Sequence, residues 1–292
     1  MGVSTAPPRV TTDRWLRPLG WATLVSNMVL VVTGGAVRLT GSGLGCPTWP
    51  RCTDRSFTPH GALDVHAAIE FGNRMLTFVL VAVAVATFVA ALRSTRRDLV
   101  GLSVLLALGI PAQAVVGGIT VLTDLNPWVV SFHLLVSLAM IGVAVLFLFR
   151  LDNPAAPAVR PSPAVWLARS TFAATWAVLY VGTVVTGSGP HAGDADSPRN
   201  GLDPLATSQL HADLVFLLVG LSVGLWFVLR ATHADPPAIR AAQTVVLVEV
   251  LQGAIGFVQY FSDLPIVLVA LHMLGAAVLS AVVTRLLLLV RA

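Results

Sequence analysis

The histidines offer the most chemistry in this chain. Of seven, His133, His211 and His272 fall near matching ends of long apolar runs. Ionisable residues inside such runs are costly to bury and mark function by default. One such histidine alone would be read as bonding to a neighbouring helix, but three at matching depth point to ligation. Imidazoles facing each other across a helical bundle hold heme iron axially, and His211 with His272 would form one such pair. His133 then needs a partner on the second run, where the chain reads Ile69-Glu70-Phe71-Gly72-Asn73-Arg74. Counting back from glutamines described below places Asn73 there, whereas counting forward from a Thr-Gly-Ser-Gly motif places His66. Asparagine is a poor iron ligand, and His66 lies seven residues, about 10 Å of helix, farther out. Both stay open. His60, His191 and His233 fall in loops.

Glu70 precedes Asn73 by three positions and shares its helical face. It is read either as a carboxylate paired with Arg74 or Arg38, or as a proton donor or acceptor beside an oxidising heme. Beside His133 the second reading is preferred. Cys46 and Cys52, the only cysteines, bracket Pro47-Thr48-Trp49-Pro50-Arg51. In an extracytoplasmic loop they are expected to form a disulfide, mainly structural, although a short exposed disulfide can also be redox-active. Two thiols without nearby histidines fall short of a metal site.

The elements that must position these groups are read from composition. The chain has 292 residues, 56% apolar and only 11% charged, where a soluble domain carries roughly a quarter charged residues. It is expected to be an all-α integral membrane protein. Eight runs reach the length needed to cross a bilayer: 19–37, 69–92, 99–121, 128–149, 164–186, 208–229, 240–260 and 265–285. Arg9, Arg14 and Arg17 precede the first run, which has no small-residue cleavage site at the right distance and is therefore expected to remain as a span. All eighteen cationic residues are arginine, and they gather at the ends of runs, so the net charge of +4 does not point to nucleic acid. The positive-inside rule puts both termini in the cytoplasm and the cysteine loop outside.

Thr40-Gly41-Ser42-Gly43 returns as Thr186-Gly187-Ser188-Gly189. A sharper series is Gln113, Gly117, Asp124 and His133, which returns as Gln252, Gly256, Asp263 and His272, each displaced by 139 (252 − 113). Two four-helix halves in parallel orientation follow, and duplicated membrane folds place sites within or between their repeats. The expected organisation is a tail at 1–18, an N-terminal half at 19–150, a linker at 151–163 and a C-terminal half at 164–292.

These features together resemble the heme A synthase family over essentially the whole chain. The resemblance rests on Gly34-Gly35 through Arg38-Leu39-Thr40-Gly41-Ser42-Gly43, on the Cys46–Cys52 loop, and on Glu70 to Arg74 as a Glu-x-x-His-Arg motif. The histidines of the fourth, sixth and eighth spans complete it. The resemblance implies oxidation of the C8 methyl of heme O to the formyl of heme A by successive hydroxylation. It also implies a heme b cofactor on His211 and His272, and substrate heme O on His133 with Glu70 as the required carboxylate. Asn73, Arg74, Arg38 and His66 would border that second pocket. Two departures stand out: Asn73 replaces the family's second-span histidine, and Pro190-His191-Ala192-Gly193-Asp194 lacks the second cysteine pair. Implied partners are the lipid bilayer of a bacterial plasma membrane, a heme O synthase, a separate electron donor and, as an open point, a second copy of the chain. The rivals are a di-heme cytochrome drawing electrons from quinol, which has no need of Glu70, and a heme-handling transporter, whose site would lie at mid-membrane.

Overall fold

The computed structural model describes residues 13–59, 65–154 and 161–291. Arg9, His60, Asp64 and Arg160 lie outside the described residues, as do part of the expected tail 1–18 and part of the linker 151–163. The described chain is helical: α1 (Asp13–Leu39), α2 (Val65–Arg93), α3 (Val100–Leu122), α4 (Pro127–Asp152), α5 (Pro163–Ser188), α6 (Pro204–Ala231), α7 (Pro236–Phe261) and α8 (Ile266–Arg291). A single 3-10 turn, Arg97–Leu99, leads into α3. The cysteine loop holds one isolated bridge, Thr53 to Ser56. All eight α-helices are long and apolar enough to cross a membrane, and the chain is a multi-pass membrane protein. Large apolar side chains such as Phe78, Leu108, Phe216 and Val267 face outward, where lipid rather than water receives them.

Each expected run falls on one helix, and most of the helices extend several residues past it. The extensions have local causes. Asn126, Ser162 and Asp203 accept backbone N–H bonds as N-caps, each followed by proline at the first turn. That is the arrangement in which a missing proline N–H costs nothing. The α3–α4 and α7–α8 connections turn identically. Asp124 and Leu125 have φ of 51° and 58°, and Asp263 and Leu264 have 59° and 56°. In each turn the leucine N–H reaches back five residues to a helix carbonyl, Leu125 to Thr120 at 2.8 Å and Leu264 to Gln259 at 2.9 Å. This satisfies carbonyls at the helix end that a bilayer would leave unpaired.

Helices α1 to α4 pack in a ring, each on the next and α4 back on α1, and α5 to α8 do the same. The rings meet where α4 lies against α5 and α8, and α1 against α8. Leu138, Ile141, Ala144 and Phe147 of α4 form the centre of one buried cluster, while Leu218, Leu225, Val245 and Leu286 lie in a second, inside the other ring. Small residues permit close approach at the seam: Ser280 Oγ of α8 donates to the Leu138 carbonyl of α4 at 2.9 Å.

Candidate functional site

Each helical hairpin sets a glycine of its first helix against a polar side chain of its second. A Cβ built on Gly117 of α3 would lie 3.3 Å from His133 Cε1, and one on Gly182 of α5 would lie 3.1 Å from His211 Cε1. The corresponding distance from Gly256 of α7 to His272 Cε1 is 3.6 Å. In the first hairpin the place is taken by Asn73, whose Nδ2 would be 3.9 Å from a Cβ on Gly34. A glycine at these positions leaves room for the Cε1 edge of a ring to approach the neighbouring backbone. Three of the four places hold imidazole, and the fourth holds an amide.

His211 and His272 face each other, with ring centroids 6.5 Å apart and planes at 69°. An iron bonded at about 2 Å to one nitrogen of each ring needs centroids roughly 6 Å apart, so the spacing fits axial ligation. Nδ1 of His133, His211 and His272 is buried without a hydrogen bond of normal geometry. A buried polar atom left unpaired costs about 1–3 kcal/mol. At His211 the backbone of Val178 lies beside that atom. The two unpaired atoms at the repeat-related His133 and His272 suit imidazoles built for a ligand, and the donor set fits heme.

In the first ring, Asn73 Oδ1 accepts from Thr33 Oγ1 of α1 at 2.8 Å. His66 lies two turns farther out, exposed, with Nδ1 3.0 Å from Ser42 Oγ. Asn73 therefore occupies the place corresponding to His211, and His66 belongs to the base of the outer loop. Glu70 is buried. Its Oε2 accepts from the Cys46 N–H at 2.7 Å and its Oε1 from Arg74 Nε at 3.1 Å. Arg74 also donates to the carbonyls of Cys46, Thr48 and Arg51 at 3.1–3.2 Å. Glu70 and Arg74 thus clamp the loop closed by the Cys46–Cys52 disulfide. The indole of Trp49 from that loop rests on Gly118 of α3, beside the glycine that faces His133, so the clamped loop roofs the His133 side of the ring.

Arg38 does not reach Glu70. It donates from Nε to the His191 carbonyl at 2.6 Å and from Nη2 to the Thr186 carbonyl at 2.9 Å. With the Gly43 N–H to the Gly193 carbonyl, 2.8 Å, it ties the end of α1 to the 189–193 loop of the other ring. His191 adds a bond from its Nε2 to the Leu264 carbonyl at 3.0 Å.

Glu249 of α7 was missed by the sequence reading. It is buried, its Oε1 accepts from Ser222 Oγ of α6 at 2.7 Å, and its Oε2 has no partner. A carboxyl inside an apolar run was the available signal.

A family model described as cytochrome oxidase assembly protein matches residues 17–284. A heme A synthase of Geobacillus thermodenitrificans is 29% identical over 143 residues, 47% of this chain and 43% of that protein. The heme A synthase of Geobacillus kaustophilus is 30% identical over 137 residues, 46% and 42% of the two chains. The chain thus aligns with under half the length of these two relatives. With the heme A synthase of Staphylococcus carnosus the match is 26% identical over 286 residues, 88% of this chain and 89% of that one.

Proposed function

The chain belongs to the cytochrome oxidase assembly protein family, and from that premise we propose that it is a heme A synthase, an oxidoreductase that converts the C8 methyl of heme O to a formyl group by successive hydroxylation. The observation that carries this reading is the asymmetry between the rings. One ring opposes two imidazoles 6.5 Å apart, while the other carries His133 on α4 and, on α2 against the first-hairpin glycine Gly34, the amide of Asn73. A pure electron carrier has use for two saturated hemes. An oxidising site needs one iron face left open.

His211 and His272 would hold heme b, which supplies one-electron chemistry when bound. His133 would hold the substrate, heme O, and Asn73, a poor iron ligand, stands on α2 where the resemblance implies a histidine. Glu70 and Arg74 hold the roof in register with α2, and Glu70 would be the carboxylate that the reaction requires. Arg38 would exchange a carbonyl bond for a substrate propionate. The recurrence of the Gln, Gly, Asp and His contacts supports two halves from one duplicated unit, and the arginine distribution supports cytoplasmic termini. Heme O synthase would supply the substrate. Dioxygen reduced with the help of a separate electron donor, or peroxide, would serve as oxidant for the two hydroxylations, and loss of water from the geminal diol would leave the formyl.

The test is to extract hemes from membranes of cells producing this protein with heme O synthase, and to identify them by chromatography and mass. The wild type is expected to yield heme A. Glu70→Gln, which keeps an acceptor for the Cys46 N–H but loses the Arg74 pair, is expected to accumulate heme O or a hydroxylated form. Normal heme A output from that variant would remove Glu70 from the reaction, and absence of heme A from the wild type would remove the function. His211→Ala or His272→Ala should each abolish the low-spin spectrum of the purified protein.

A further inference from the structure

Gln113 and Gln252 recur at the same offset as the histidines, and the function proposed above gives them nothing to do. Each lies on the first helix of its hairpin. Gln113 Nε2 donates to the backbone carbonyl of His133 at 2.9 Å, and Gln252 Nε2 donates to that of His272, also at 2.9 Å. A carbonyl can accept only from the amide nitrogen, so these bonds decide which way each amide faces. The other amide atom, Oε1, is buried without a partner in both glutamines. So is Nδ1 of both histidines. One acceptor and one ring nitrogen, both unpaired and both anchored on the same histidine, occur twice in the chain. Leaving such atoms unpaired away from water is costly, and their repetition marks a bond that the site is built to make.

We infer that Gln113 and Gln252 are positioning residues whose Oε1 accepts the Nδ1–H of His133 and His272 when the opposite ring nitrogen binds iron. The inference rests on reading those histidines as iron ligands. Ligation at Nε2 obliges the neutral ring to carry its proton on Nδ1, which turns that atom into a donor. Ligating histidines almost always give this proton to a nearby oxygen, which orients the ring and raises its basicity. Steric features hold the parts in place. Gly117 and Gly256 lie against the imidazole edges, and a Cβ on Gly275 of α8 would run into the Gln252 amide. His211 has no glutamine of this kind; the backbone of Val178 lies beside it. The two ligands of the C-terminal heme would thus be set by different acceptors, and His272 is the one a side chain can tune.

The experiment uses the full-length protein purified with its heme, followed by redox titration and by measurement of heme retained per chain. Gln252→Met keeps the volume and removes the acceptor. It should raise the midpoint potential of the His272-dependent heme and weaken retention by roughly 10- to 100-fold in affinity. Gly275→Ala, which displaces the amide without deleting it, should shift the midpoint in the same direction. Gln252→Glu restores an oxygen at that place and should recover the retention that methionine loses. A midpoint and retention in Gln252→Met equal to the wild type would overturn the inference, as would failure of glutamate to rescue. A wild type lacking a low-spin heme that His272→Ala removes would overturn the ligand reading and the inference with it. A His272-dependent heme that ignores all three substitutions would overturn the inference alone.

Discussion

Ser222 Oγ is the one hydrogen-bond donor at Glu249, and the second carboxyl oxygen is buried without a partner. No arginine occupies the middle turns of α5 to α8 to compensate it. The pair therefore lives on a single bond in a medium that supplies no water. Ser222→Ala should lower stability by about 1–3 kcal/mol, the cost of stranding a buried acceptor, read as a fall in the thermal midpoint of the detergent-solubilised protein. Ser222→Ala combined with Glu249→Leu replaces both partners by apolar groups and should recover most of that loss. If the double variant is no more stable than the single, the carboxyl has another partner and this account of it fails. At the offset of 139 that relates the histidines, the first half carries Ile110 in place of Glu249, so the carboxyl has no counterpart there.

At the scale of the element, the cysteine loop is held by three independent devices: the disulfide, the Glu70–Arg74 clamp and the seat of Trp49 on Gly118. Gly118→Ala would drive the new methyl into the indole and lift the roof from α3. Overpacking of this kind costs about 1–3 kcal/mol, so loading of the His133 site should weaken by roughly tenfold, measured by titrating heme O into the purified protein. The low-spin spectrum from His211 and His272 should not change; a matching change there would mean that the roof serves the whole molecule. The eight helices were legible because hydrophobic runs need only length and composition. His133 and His272 stood out because a constant offset of 139 is improbable by chance, whereas His211 has Gly72 at that offset. Of the partners of Glu70, Arg74 was legible from its spacing, whereas the Cys46 N–H was not. Positions three apart share a broad face, yet the angle of about 60° between them sends Asn73 to α1 and Glu70 to the loop. The partners of Arg38 lie 148 and 153 residues away in sequence, in a docked loop that leaves no periodic trace. Glu249 was hidden for the opposite reason, because a single carboxyl barely lowers the hydropathy of a long apolar run.

For the whole molecule, the two ends of the bundle differ in charge and in how they are tied. One end gathers Arg14, Arg17, Arg93, Arg96, Arg97, Arg150, Arg169, Arg230, Arg240 and Arg285, against Arg38, Arg51, Arg55, Arg74 and Arg199 at the other. The ten are partly structural. Arg17 pairs with Asp152, and Arg96 binds Asp98 and the Leu151 and Arg150 carbonyls at 2.7–2.8 Å. Asp13 caps Thr95 through both its N–H and its hydroxyl. These bonds join α1, the α2–α3 connection and α4 at the arginine-rich end, which the positive-inside rule would place in the cytoplasm. The five at the other end share it with Asp54, Asp124, Asp194, Asp196, Asp203 and Asp263, which leaves that end without a cationic excess among the described residues. The bias of ten to five predicts that the cysteine loop is extracytoplasmic, where its disulfide persists. Arg55 is exposed in that loop, and Arg97 is exposed at the opposite end. Trypsin added to spheroplasts should therefore cut after Arg55 and leave Arg97 intact, while trypsin added to inverted vesicles should do the reverse. The fragments differ enough in length to be told apart by mass. Cleavage after Arg55 in inverted vesicles would turn the molecule over, placing the cysteine loop and the His133 end of the ring on the cytoplasmic side of the bilayer.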